Sequence, residues 1–103
     1  GPGDLKTPAK NIALGSYHLA WLIQRYNGQR PLAIAAYNAG EHRIDRWLKG
    51  NEGMAIDTWI ESIPFKETRN YVKNVLAFNV VYASLLGSPV AILQDAEKTV
   101  ARR

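Results

Sequence analysis

The sequence predicts an all-α protein, a small helical bundle. Apolar residues recur at three- and four-residue spacing in several separate stretches, the stretches are punctuated by Gly, Pro and Asn, and no apolar/polar alternation of the β kind occurs anywhere in the chain. No internal repeat or low-complexity run interrupts the pattern. A chain of 103 residues that is 47% hydrophobic is one small domain. At that length folding removes roughly 60 to 70% of the extended chain's surface from water, enough for one core.

A loop ending near Pro8 leads into the first helix, Asn11 to Tyr26, where Ile12, Gly15, Leu19, Leu22, Ile23 and Tyr26 share one face. Asn27-Gly28 ends it. Pro31 suits the first turn of a second, short helix that runs through Ala39, and Gly40 stops that helix in a left-handed conformation. Glu41 to Leu48 follows as a third helix, with Ile44, Trp47 and Leu48 in helical register. Lys49 to Gly53 is a polar loop. Ala55 to Ile63 reads as a short helix or an extended piece, with Trp59, Ile60 and Ile63 fitting a helical face. Pro64 disfavours helix at Ile63 and can open the next one.

The last strong element runs from about Phe65 to Leu86. Tyr71, Val72, Val75, Leu76, Val80, Tyr82, Ala83 and Leu86 cover more than one stripe, which predicts a central post surrounded by the other helices. Gly87-Ser88-Pro89 stops it. Val90 to Arg103 is expected to hold a further turn or two of helix and then fray.

Composition narrows the function. The net charge of +4 favours an anionic partner: nucleic acid, a membrane surface or an acidic polymer. There is no Cys, and His18 and His42 form no His-Glu-x-x-His pattern, so neither a metal centre nor a cofactor is expected. The longest apolar region, Val75 to Leu86, is broken by Asn79 and Ser84 and falls short of the ~20 residues that span a bilayer, so no transmembrane segment is expected. Gly1-Pro2-Gly3 opens the chain without a signal-peptide pattern, which predicts a processed, engineered or truncated start.

Two clusters could carry chemistry. Tyr37 and Asn38 sit on the last turn before the Gly40 break, where a scaffold presents polar groups, although a packed Tyr and a helix-capping Asn would read the same. Glu67 falls in the first turn of the long helix, where the helix dipole favours a carboxylate, and Tyr71 lies four residues on along the same face. A dipole-satisfying Glu above a core Tyr is the plainer account of that pair. Pro31 to Gly50 also reads as helix, turn, helix with Arg43, Arg46 and Lys49 on its second segment, as in a DNA-binding helix-turn-helix. With Gly40 as the turn glycine, the position that should be buried six residues later is Arg46, so the basic residues read as a solvated face.

Ala35-Ala36-Tyr37-Asn38-Ala39-Gly40 resembles the signature of the lytic transglycosylase (SLT) catalytic domain, a branch of the lysozyme-like superfamily. Further pieces follow in that family's order: Asn11 to Leu19, Pro31-Leu32-Ala33, Arg43 to Leu48, Ile60 to Phe65, and Glu67 to Val72. The resemblance spans about Leu5 to Leu86 and is nearest to the C-terminal domain of the large soluble periplasmic enzymes. It implies a partial SLT domain over residues 1–103, with a core at 5–86 and a tail at 87–103, in a periplasmic protein whose partner is peptidoglycan rather than nucleic acid.

Members of this family cleave the bond from N-acetylmuramic acid to N-acetylglucosamine without water. One Glu serves as acid and then base while the muramyl 6-hydroxyl closes a 1,6-anhydro ring. By resemblance, Tyr37 and Asn38 line the cleft, and Glu67 and Tyr71 bind substrate or support the acid. The family's Glu-Ser dipeptide bearing the acid, and its Gly-Leu-Met-Gln motif, precede the matched stretch. Glu61-Ser62 stands in the wrong order to replace them. The chain alone is therefore expected to hold no catalytic residue, to be inactive, and to associate with the absent segment or with another copy. A non-catalytic glycan-binding module and a DNA-binding domain are the alternatives.

Overall fold

The computed structural model describes residues 8–85, 87, 93 and 97–100, with side chains from residue 17 onward except 82–84. Among these, five helices follow one another: α1 (Pro8–Arg25), α2 (Arg30–Ala39), α3 (Glu41–Leu48), α4 (Ile56–Ser62) and α5 (Lys66–Leu85). The all-α expectation holds, and within the stretch Ala55 to Ile63, which read as helix or extended, Ile56–Ser62 is helix while Ala55 is extended in an isolated bridge. Ile12 and Gly15 on α1, Tyr82 and Ala83 on α5, and Leu86, Ser88 and Pro89 after it lie outside the described side chains or residues.

The turn after α1 follows from Asn27-Gly28. Asn27 takes φ 56° and Gly28 φ 81°. The Gly28 N–H donates to the Ile23 carbonyl (2.9 Å) and the Asn27 N–H to that of Gln24 (3.2 Å). This paired closure satisfies carbonyls that a helix end would otherwise leave open. The chain then reverses directly into α2.

The central element is α2, not α5. Pro31 to Ala36 are six consecutive buried residues, and α2 packs against α1, α3 and α5. Ala33, Ala35 and Ala36 let three neighbours approach a short helix closely, a property that small side chains confer without any amphipathic pattern. Helix α5, predicted as the surrounded post, buries Val72 and Leu76 but exposes Phe78, Val81 and Leu85. Of the other residues that made it read as the post, Tyr71, Val75 and Val80 are half-buried, so the exposed side chains lie outside the predicted stripes. Tyr17 and Trp21 on α1 are exposed as well.

Two polar ties fix the frame. The Tyr26 hydroxyl donates to Asp45 Oδ1 (2.9 Å) and Arg25 forms an ion pair with the same carboxylate, fastening α1 to α3. Burial, and then the bond to Asp45, push the Tyr26 hydroxyl well above its ordinary pKa.

The second tie involves the predicted tail. Residues 97–100 do not fray: Glu97 and Val100 are 1% and 3% exposed, and Thr99 makes an antiparallel bridge to Ala55. Backbone N–H groups of Gly53 and Ile56 donate to Val100 and Lys98 carbonyls (both 2.8 Å), and Val100 N–H donates to that of Met54 (2.9 Å). Arg30 meets Glu97 side on, Nε to Oε2 at 2.6 Å and a terminal nitrogen to Oε1 at 2.7 Å. Residues 97–100 thus clamp the start of α2 to the loop before α4.

Candidate functional site

Gly40 makes the site possible. Its N–H closes α2 on the Ala36 carbonyl (2.7 Å), and its own carbonyl accepts from Ile44 N–H (3.3 Å) at the start of α3. One residue therefore ends one helix and begins the next. Its φ of 94° is positive as expected, but ψ is 140°, so it occupies a region open essentially to glycine alone rather than the left-handed helical well. This geometry leaves Tyr37 and Asn38 on the last turn of α2.

Asn38 does not cap a helix. Its Oδ1 accepts a hydrogen bond from the Thr68 hydroxyl at 2.7 Å, and Thr68 is buried in the first turn of α5. The end of α2 is thereby pinned to the start of α5 across 30 residues of sequence. Between them lies a groove of about 560 Å³ lined by Asn38, Ala39, Arg43, Thr68 and the Pro64 to Glu67 segment. Glu67 is its single carboxylate among the described residues.

The remaining predicted residues are not part of this groove's lining. Tyr37 is 40% exposed and its ring stands 5.6 Å from that of His18. Tyr71, one turn beyond Glu67, is half-buried against the core and is not part of the groove lining. Glu61 is exposed, pairs with Lys73 and is likewise outside the groove.

Sequence reasoning passed over Thr68, Phe65 and the setting of Arg43. The Arg43 guanidinium lies 5.0 Å from the centre of the Phe65 ring, and Trp47 packs against the same ring at 5.3 Å. Stacking on a ring face leaves the in-plane N–H donors of the guanidinium available to a ligand. Pro64-Phe65 was a hint, because an aromatic directly after a helix-opening Pro is held at a defined place.

No group of three or more His, Cys, Asp or Glu side chains that could hold a metal occurs among the described residues. No helix among them is long and apolar enough to cross a membrane.

Comparison with known proteins gives consistent matches. Residues 1–60 match the family described as the transglycosylase SLT domain, and residues 62–90 match the soluble lytic transglycosylase helical domain. The chain is 46% identical over 99 residues to the soluble lytic murein transglycosylase of Salmonella typhimurium, and 42% identical over 98 residues to that of Escherichia coli K12. These alignments cover 94% and 93% of this chain but 15% of each relative. Among solved structures, an inactive mutant of lytic transglycosylase Slt from Pseudomonas aeruginosa superimposes with a TM-score of 0.92 at 43% identity, covering all of this chain and 17% of that one. The 70 kDa soluble lytic transglycosylase of Escherichia coli gives 0.90 at 37% identity, covering 99% and 17%. With the SLT match extending over more than half its residues, a helical core and the Tyr37-Asn38-Gly40 turn in place, the chain belongs to the transglycosylase SLT domain family.

Proposed function

We propose that this chain forms the later face of the glycan cleft in a peptidoglycan lytic transglycosylase of the periplasm. In that role it binds the strand while the bond between N-acetylmuramic acid and N-acetylglucosamine is broken without water and a 1,6-anhydro product forms. The observation that supports this most is the Asn38–Thr68 pin, which turns two separated family motifs into one groove. Asn38 and Glu67 line it, Tyr37 stands on the same turn as Asn38, and Tyr71 follows Glu67 by four residues on α5.

Glycoside cleavage needs an acid to protonate the leaving oxygen. Among the described residues the groove holds one carboxylate, Glu67, and it falls in a motif that the family resemblance assigns to substrate binding or to supporting the acid, not to the acid itself. The proton donor therefore comes from outside the groove, and the 103-residue chain binds without cleaving.

The test is incubation of the purified chain with intact sacculi, with mass spectrometry of the soluble products and with Glu61→Gln and Glu67→Gln variants in parallel. The expected result is retention on the sacculi, weakened by Glu67→Gln and unaffected by Glu61→Gln, with no soluble product. Anhydro-muropeptides that disappear in either variant would overturn the assignment of the acid to another segment. Failure to be retained would overturn the glycan reading altogether.

The exposed apolar side chains on α1 and α5 support the accompanying expectation that this surface is covered in the working protein, by another segment of it or by a second copy. Sedimentation velocity over a range of concentrations is expected to show self-association of the chain alone. A monomer at every concentration would rule out the second copy.

A further inference from the structure

The Asn38–Thr68 hydrogen bond has a direction as well as a place. The Thr68 hydroxyl donates and Asn38 Oδ1 accepts, at 2.7 Å. We propose that Thr68 is a positioning residue that sets the hydrogen-bond polarity of Asn38. By occupying Oδ1 it leaves the groove only the Nδ2 N–H donors, so the glycan must present an oxygen acceptor at that point. The proposal rests on the glycan-binding role proposed above and deepens it, from which residues line the groove to what one of them can recognise.

An asparagine beside a threonine can pair in two ways: its oxygen accepts from the hydroxyl, or its nitrogen donates to it. Burial decides between them. Thr68 is 4% exposed, and Asn38 is the one hydrogen-bond partner of its hydroxyl among the described residues. With the amide turned over, the hydroxyl would accept from Nδ2 and its own proton would be left buried without an acceptor, stripped of water with no bond in return. A threonine inside a helix can give that proton to a carbonyl three or four residues back. No such bond joins Thr68 to Phe65 or Pro64. The proton therefore goes to Oδ1.

The consequence for the groove follows. Asn38 is half-buried and lines it, Oδ1 is taken, and no acceptor among the described residues holds either Nδ2 N–H. Arg43 and Lys66 in the same lining are donors only. A ligand atom that meets Asn38 must then accept, as a carbonyl, ether or hydroxyl oxygen does and an N–H does not. An unpinned asparagine would serve either kind of group by rotating its amide. Here the amide is oriented before the ligand arrives, so binding need not pay to order it.

The experiment uses soluble glycan strands freed of peptide by an amidase. It compares their binding to the wild type, Thr68→Val, Thr68→Ser, Asn38→Ala and the Thr68→Val/Asn38→Ala pair, at a temperature where thermal unfolding shows each protein folded. Thr68→Val keeps the shape and loses the hydroxyl, and is expected to bind about threefold to tenfold more weakly, the usual worth of one neutral hydrogen bond. Thr68→Ser restores the hydroxyl and should bind within about twofold of wild type. In the Asn38→Ala background Thr68→Val should cost nothing further, because its effect runs through Asn38. The same loss in that background would make Thr68 a structural support only and overturn the proposal. Unchanged binding of Thr68→Val, with the wild type binding, also overturns it and leaves the glycan reading intact. Isotope-edited NMR of the wild type depends on no variant folding: the Asn38 Nδ2 N–H resonances should shift as strands are added, and resonances that stay in place while the strands bind count against the proposal. A wild type that binds no strand overturns the glycan reading and this one with it.

Discussion

Replacing Glu97 with alanine is expected to lower folding stability by about 3 kcal/mol, the lower part of the range for removing one partner of a buried ion pair. The lower part applies because the Arg30 side chain, though paired on its side with Glu97, remains 23% exposed and can turn partly to water. The three hydrogen bonds to Arg30 are lost at once, including the one from its backbone N–H at the start of α2. Urea denaturation measures the loss. Hydrogen exchange locates it: the Gly53, Ile56 and Val100 amides, bonded across the bridge between tail and loop, should lose protection before those of α2. Pairing Glu97→Leu with Arg30→Met should recover most of the stability, because an apolar pair of similar volume carries no desolvation penalty. Unchanged stability in Glu97→Ala would show that the tail does not brace the fold.

Trp59→Ala is expected to cost about 3 to 5 kcal/mol, the ordinary toll of a large aromatic removed from a packed interior. Trp59 is 1% exposed and is the largest of the fully buried side chains. With Ile56, Ile60 and Ile63 it forms the buried face by which the seven-residue α4 is held. A helix that short has almost no stability of its own. Losing the anchor should therefore melt α4 and disturb both the Pro64 turn and the groove it lines. Thermal unfolding checks the first effect and retention on sacculi the second. A Trp59→Ala protein with full stability would mean that α4 is held by something other than its buried face.

The comparisons divide the chain where packing does not. The boundary between the two family matches, at residues 60 and 62, falls inside α4. The groove nevertheless takes Asn38, Ala39 and Arg43 from one side of that boundary and residues 64 to 68 from the other. Whatever the evolutionary unit, the groove is built across it.

The helices were legible because the information that makes them is local. Apolar spacing, the Asn27-Gly28 stop, Pro31, and the Gly40 break each act within a few residues, so α1, α2, α3 and α5 lie where periodicity puts them. Family membership was legible for the same reason, since Ala35 to Gly40 is a contiguous motif. Centrality was not. Ala has no strong amphipathic signature, so the buried α2 read only as a short helix, while the more broadly apolar α5 read as the post although Phe78, Val81 and Leu85 on it are exposed.

Tertiary contacts alone decided the rest. Glu97 is paired with Arg30 over 67 residues, Thr68 with Asn38 over 30, and Asp45 with Tyr26 over 19. Each partner, met in its own stretch of sequence, is an ordinary polar residue on a helix or tail. The energy that distinguishes it comes from a group far along the chain, in a low-dielectric contact that exists only after the helices have packed.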